Sequence, residues 1–128
     1  MQLNRGHEKM EHRAMKQLIA KLFTLLDFLV FFEERECDVV AWKCQANGHV
    51  RLVGIEAERS TRNLIRNVTR DLARGCCIVL IVVPVDALRT AARRQVQQYL
   101  PDFGTKVGIT TASAIEQVIA RLEERREK

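Results

Sequence analysis

Apolar residues near the start of the chain recur at helical spacing. Met10, Ala14, Leu18, Leu22 and Leu25 form a stripe that Met15, Ile19 and Leu26 widen, which predicts an amphipathic helix from about His7 to Leu26. Phe28 to Glu33 follows with no Gly or Pro to mark the boundary; Val30, Phe31 and Phe32 favour a strand there. The polar residues Glu34, Arg35 and Glu36 then connect to a second strand beginning near Asp38. Two apolar runs, Val39 to Lys43 and Leu52 to Ala57, flank an Asn47-Gly48 turn signal and predict a β-hairpin.

Beyond the hairpin the pattern alternates between helix and strand. Ser60 or Thr61 can cap a helix reaching about Arg74, with Leu64, Ile65, Val68 and Leu72 as its core stripe and Gly75 as the C′ residue. Cys76 to Val83 is continuously apolar and rich in β-branched residues, the pattern of a strand buried on both faces. Pro84 ends it, and Asp86 can cap a third helix to about Tyr99. Pro101 to Gly104 reads as a loop, Thr105 to Ile109 as a short strand and Ser113 to Arg125 as a last helix. The expected order is α-β-β-β-α-β-α-β-α. A strand-helix-strand succession implies a right-handed parallel crossover, so the fold class is α/β, with a mixed central sheet flanked by helices.

Composition narrows the picture only modestly. A chain of 128 residues, 47% hydrophobic and 29% charged, fits one ordinary globular domain spanning 1–128. Its net charge of +5 favours a polyanionic partner, nucleic acid or an anionic membrane surface. Cys37, Cys44, Cys76 and Cys77 have no zinc spacing and are expected to be reduced, with Cys76 and Cys77 as buried packing. Residues Met1 to Glu8 carry no signal-peptide core, and the longest apolar stretch, Cys76 to Val85, is about half the ~20 residues of a membrane helix. A cytoplasmic protein with no membrane span is the expectation.

The candidate chemistry lies at the ends of the hairpin strands. Asp38 opens the first strand, and Glu56 and Glu58 close the second. Carboxylates held close repel one another and raise their pKa values; a hard divalent cation such as Mg²⁺ or Mn²⁺ removes that cost by taking oxygen ligands. Register decides whether they meet. A two-residue Asn47-Gly48 loop would pair Asp38 with Ala57 and send it to the face opposite Glu56 and Glu58. A three-residue loop, Ala46-Asn47-Gly48 with Gly48 left-handed, would set Asp38 opposite Glu56 and Lys43 opposite Arg51. Both loops suit the sequence.

With an acid on the first helix, an Asp on the second strand and Ile55-Glu56-Ala57-Glu58-Arg59-Ser60 ending the third, the chain resembles the PD-(D/E)XK nuclease superfamily. Met10-Glu11-His12-Arg13 and Asn67-Val68-Thr69-Arg70-Asp71-Leu72 make it similar to small restriction-endonuclease-like members associated with mobile elements and defence systems. The resemblance covers an αβββαβ core of about residues 8–84 and treats 85–128 as C-terminal decoration. It implies a Mg²⁺- or Mn²⁺-dependent DNA endonuclease, with Asp38 and Glu56 as metal ligands and Glu11 as a direct or water-mediated one. Glu58 occupies the family's usual lysine position. A glutamate there cannot stabilise developing negative charge, but it can accept a proton from water or bind a second metal.

Arg62, Arg66, Arg70 and Arg74 follow at four-residue spacing, with Arg59 just before them. Such a row can contact phosphates independently of base identity, or form a solvated face. A homodimer is expected, since pairing adds substrate contacts and a second cut; a protein partner from a mobile-element or defence system is a further expectation. Competing readings stay open: Glu56 and Glu58 as solvated carboxylates, Glu11 as a surface ion-pair partner, or a fold that keeps DNA or protein binding without cleavage. Trp42 is core or cleft lining. A zinc-protease helix is disfavoured because His7 and His12 are five residues apart rather than four, and neither a Walker A sequence nor Gly-x-Gly-x-x-Gly occurs.

Overall fold

A computed structural model describes the backbone of residues 2–32 and 38–127, and the side chains of residues 12–32 and 38–126. Cys37 and the Glu34–Glu36 connection lie outside the described residues. The elements, in order, are α1 (Gln2–Leu25), β1 (Leu29–Phe32), β2 (Val39–Cys44), β3 (Val50–Ala57), α2 (Leu64–Ala73), β4 (Ile78–Val83), α3 (Asp86–Tyr99), a 3₁₀ turn at Pro101–Phe103, β5 (Val107–Thr111) and α4 (Ala112–Glu127). This is an α/β architecture. The sheet is mixed and open, with strand order β1-β2-β3-β4-β5. β2 is antiparallel to both neighbours, while β3, β4 and β5 run parallel.

Alternation along β3 and β4 divides two cores. Val53, Ile55, Ala57 and Val82 pack with Met15, Ile19, Leu22 and Phe23 of α1 and Ile115 and Ile119 of α4. Val79, Ile81 and Val83 point the other way, onto Leu64 and Val68 of α2 and Ala92 and Val96 of α3. Fully burying one such aliphatic side chain, for example Ile19 or Ile81, stabilises the fold by about 1.5–3 kcal/mol. Since both faces of β4 are covered, its sequence carries no polar alternation.

The inward face of α1 is rotated from the expected stripe. Met15, Ile19, Leu22 and Phe23 are buried, whereas Ala14 and Leu26 are exposed. The helix ends without glycine. Asp27 takes the left-handed conformation (φ +67°), and the Asp27 and Phe28 N–H groups donate back to Thr24 O (3.0 Å) and Phe23 O (2.9 Å). Phe23 and Phe28 close this Schellman-type cap edge to face at 5.2 Å.

Other boundaries also shift. α2 starts at Leu64 after Asn63, with no side-chain cap from Ser60 or Thr61. Asp86 is the first residue of α3 rather than its cap, because Val85 holds the extended pre-helical position. β5 lies two residues later than expected. At its end the Thr111 hydroxyl accepts the Ala114 N–H at 3.2 Å and so caps α4. Cys76 is buried but Cys77 is exposed, which corrects the expectation that both pack inside.

Candidate functional site

Hairpin register follows the three-residue loop. Lys43 pairs with Arg51 and Val39 with Ile55; Gln45 N–H donates to His49 O at 2.8 Å, leaving Ala46, Asn47 and Gly48 as the loop. Gly48 has φ +84°, the left-handed value this turn needs. One step beyond Val39↔Ile55, Asp38 falls opposite Glu56. Its N–H donates to Glu56 Oε2 at 3.1 Å, and its own Oδ2 accepts the Ala57 N–H at 2.7 Å. The sequence alternatives are thereby resolved in favour of the register that joins the acids.

Glu56 is only 2% exposed. Alternation turns it, with Leu52 and Gly54, toward α2, where Arg70 Nη2 meets Glu56 Oε1 at 3.3 Å. Arg70 Nε also lies 3.9 Å from Oδ1 of the buried Asp71. Glu58 follows the last residue of β3; its N–H donates to Val82 O at 2.8 Å, and its Oε1 accepts the Asn67 amide at 2.6 Å. Burial, the main cause, raises the Glu58 pKa, and the Asp38 charge adds to it, against the lowering effect of the Asn67 hydrogen bond.

His12 is the residue that sequence reasoning passed over. Its Nε2 lies 3.2 Å from Asp38 Oδ1 and 3.1 Å from Ala57 O. A backbone carbonyl only accepts, so Nε2 carries the proton. The hydrogen bond to Asp38 raises the His12 pKa, with burial opposing it. A signal was present: His12 lies three residues before Met15, continuing the buried Met15–Ile19–Leu22 stripe toward the start of α1.

Asp38 and Glu56 therefore meet at one end of the β2–β3 hairpin, with Glu58 two residues on, and His12 from α1 and Arg70 from α2 lie against the pair. The side chain of Glu11 lies outside the described residues. The arginine row is shorter than expected: Arg66 and Arg70 lie within α2, Arg62 in the turn before it, and Arg74 is its C-cap. Arg59, Arg62 and Arg66 are exposed, whereas Arg70 turns inward to Glu56.

Carboxylate oxygens such as those of Asp38 and Glu56 are the ligand type a hard divalent cation takes. In the arrangement described, the oxygens of Asp38, Glu56 and Glu58 accept from Arg70, His12, Asn67 and backbone N–H groups. Among the described residues, no group of three or more His, Cys, Asp or Glu side chains is placed to hold a metal ion. No helix among them is long and apolar enough to cross a membrane. No family model, curated protein or solved structure matches the chain.

Proposed function

We propose that this chain is a Mg²⁺- or Mn²⁺-dependent DNA endonuclease-like protein whose site is Asp38, Glu56 and Glu58. The observation that carries the reading is the pairing of Asp38 with Glu56 at the end of the β2–β3 hairpin, with Glu58 two residues on and His12 and Arg70 against the two acids. The α-β-β-β-α-β succession from α1 to β4 is the one the nuclease resemblance implies and supports it. Asp38 and Glu56 would hold the cation, with Glu11 as an additional ligand. Bound there, a divalent ion neutralises charge on the phosphoryl oxygens and lowers the pKa of its water. Glu58, whose carboxyl holds a proton more readily than an ordinary glutamate, suits the role of proton acceptor. Arg59, Arg62 and Arg66 provide exposed positive charge for phosphates on the α2 side. In this reading the chain acts on DNA in the cytoplasm as a homodimer, with a mobile-element or defence protein as a further partner.

Incubation of supercoiled plasmid with the protein and Mn²⁺ tests the proposal. Parent protein nicks or linearises the plasmid; Asp38→Asn and Glu56→Gln, checked for folding by circular dichroism, lose most of that activity. Undiminished cutting by both variants would sink it. A second reading, a DNA-binding module without cleavage, is favoured by the inward turn of Arg70 onto Glu56. It requires salt-dependent DNA binding without cutting, weakened by Arg66→Glu.

A further inference from the structure

The two faces of the sheet are covered unequally. On the side that carries α2 and α3, α2 packs on β3 and β4, and α3 on β4 and β5. Among the described residues, the same face of β1 and β2 belongs to neither core. Register and alternation place Leu29, Trp42 and Leu52 in one row across it, and Phe31, Val40 and Gly54 in the next. Leu29 and Phe31 are 54% and 52% exposed, and the Phe31 and Trp42 rings lie nearly parallel, 5° apart in plane and 6.5 Å between centroids.

The row that follows, in the same direction, is Asp38 and Glu56. Trp42 is four residues from Asp38 along β2, or about 13 Å at strand rise. Beside this open face stands α2. Arg70 on that helix reaches Glu56, and Asp71 and Cys76 lie against Gly54, so the helix runs alongside the Glu56–Gly54–Leu52 column. Exposed Arg66 and Arg74 lie one turn to either side of Arg70. An apolar, aromatic floor thus adjoins a cationic helix. A partner with flat π-faces joined by regularly spaced negative charges matches both, and unpaired nucleotides have that chemistry. Paired bases do not, since their faces are occupied within the stack.

We infer that the open β1–β2 face, through Phe31 and Trp42, is a stacking platform for an unpaired segment of nucleic acid whose backbone runs along α2. The inference rests on the nucleic-acid reading above and deepens it by naming single-stranded or unpaired DNA as the bound form. Stacking on aromatic side chains is independent of base identity.

Trp42 is the chain's single tryptophan, so its emission reports the site directly. Parent protein is titrated with a short oligothymidylate and, separately, a blunt duplex of equal length, with a chelator present so that cleavage is not read. The expected result is quenching of Trp42 by the single strand. Its affinity should fall about tenfold or more in Trp42→Ala and Phe31→Ala, with Trp42→Phe retaining most of it and duplex affinity little changed. Equal single-strand affinity in parent and both alanine variants overturns the platform. So does Trp42 emission that changes with protein concentration but not with oligonucleotide, which assigns the face to a second copy of the chain. Quenching without plasmid cleavage would leave the platform standing and remove only the nuclease; cleavage with no quenching would do the reverse.

Discussion

Asp38 and Glu56 clamp the open end of the β2–β3 hairpin by exchanging side-chain bonds for backbone ones. The Glu56 carboxylate accepts the Asp38 N–H at 3.1 Å, while the Asp38 carboxylate accepts the Ala57 N–H, one residue past Glu56, at 2.7 Å. Asp38→Ala leaves the largely buried Ala57 N–H without this acceptor and is expected to cost about 1–3 kcal/mol. Asp38→Asn keeps an amide oxygen there and costs less. Urea denaturation measures both, and an Asp38→Ala midpoint equal to the parent's would contradict the clamp.

Removing Arg70 takes a cationic partner from the buried Glu56. Because Glu56 is buried and Arg70 is about a third exposed, Arg70→Met is expected to destabilise by roughly 2–4 kcal/mol near pH 7, at the lower end of buried-pair losses. Glu56→Gln in the same chain takes away the charge that Arg70 faced and restores part of the stability. The double-mutant cycle is read by denaturant unfolding; additive losses would show that the two side chains do not interact.

Stability should fall as pH rises through two windows. His12 binds its proton more tightly in the folded chain than at its ordinary 6.5, so that contribution is complete below 6.5 and is lost as pH climbs through the raised value. Glu58 is also raised, from 4.5, so its contribution is present below that pH and is lost as pH climbs through the raised value. Melting temperatures recorded from acid to mildly alkaline pH should show the upper drop in parent protein and not in His12→Gln. A His12→Gln profile with the parent's slope above pH 6.5 would refute the His12–Asp38 coupling.

Gly54 lets α2 approach β3. A Cβ at this position would lie 3.0 Å from Cys76 Sγ and 3.2 Å from Asp71 Oδ2. Gly54→Ala is therefore expected to cost about 1–3 kcal/mol, and Cys76→Ala should relieve part of that in the double variant. Thermal unfolding of the four proteins checks the pair.

Thiol reactivity provides an independent check on the same corner. Burial, followed by the nearby Asp71 charge, pushes the Cys76 thiol up to about 11, and only the thiolate reacts. Exposed Cys44 and Cys77 should label first with maleimide at pH 7. Peptide mapping that found Cys76 labelled at the same rate would contradict its environment.

Element order, the parallel crossover and Gly75 at the end of α2 could be read from apolar spacing and glycine placement, because these follow from local chemistry and burial. The three-residue loop was one of two options at Asn47-Gly48, and only long-range pairing of β2 with β3 selects between them. The end of α1 was hidden because Asp27, rather than glycine, takes the left-handed position, stabilised by the Phe23–Phe28 contact. Asp38, Glu56 and Glu58 were visible as acids at strand ends. Their compensation was not. His12 and Arg70 reach them from 26 and 14 residues away in sequence, His12 to Asp38 and Arg70 to Glu56, and a single sequence carries no signal of which cation answers which carboxylate. Arg70 therefore looked like part of a phosphate-binding row.

Asn67 and Arg70 are three residues apart on α2, and they hold Glu58 and Glu56, which are two apart beyond and within β3. The helix rises about 4.5 Å over its interval and the strand about 6.6 Å over the other, so both grips close only for one setting of the helix. Sliding or turning α2 by a fraction of a turn would loosen the two glutamates together. The acids behave as a ganged pair whose common latch is the crossover helix.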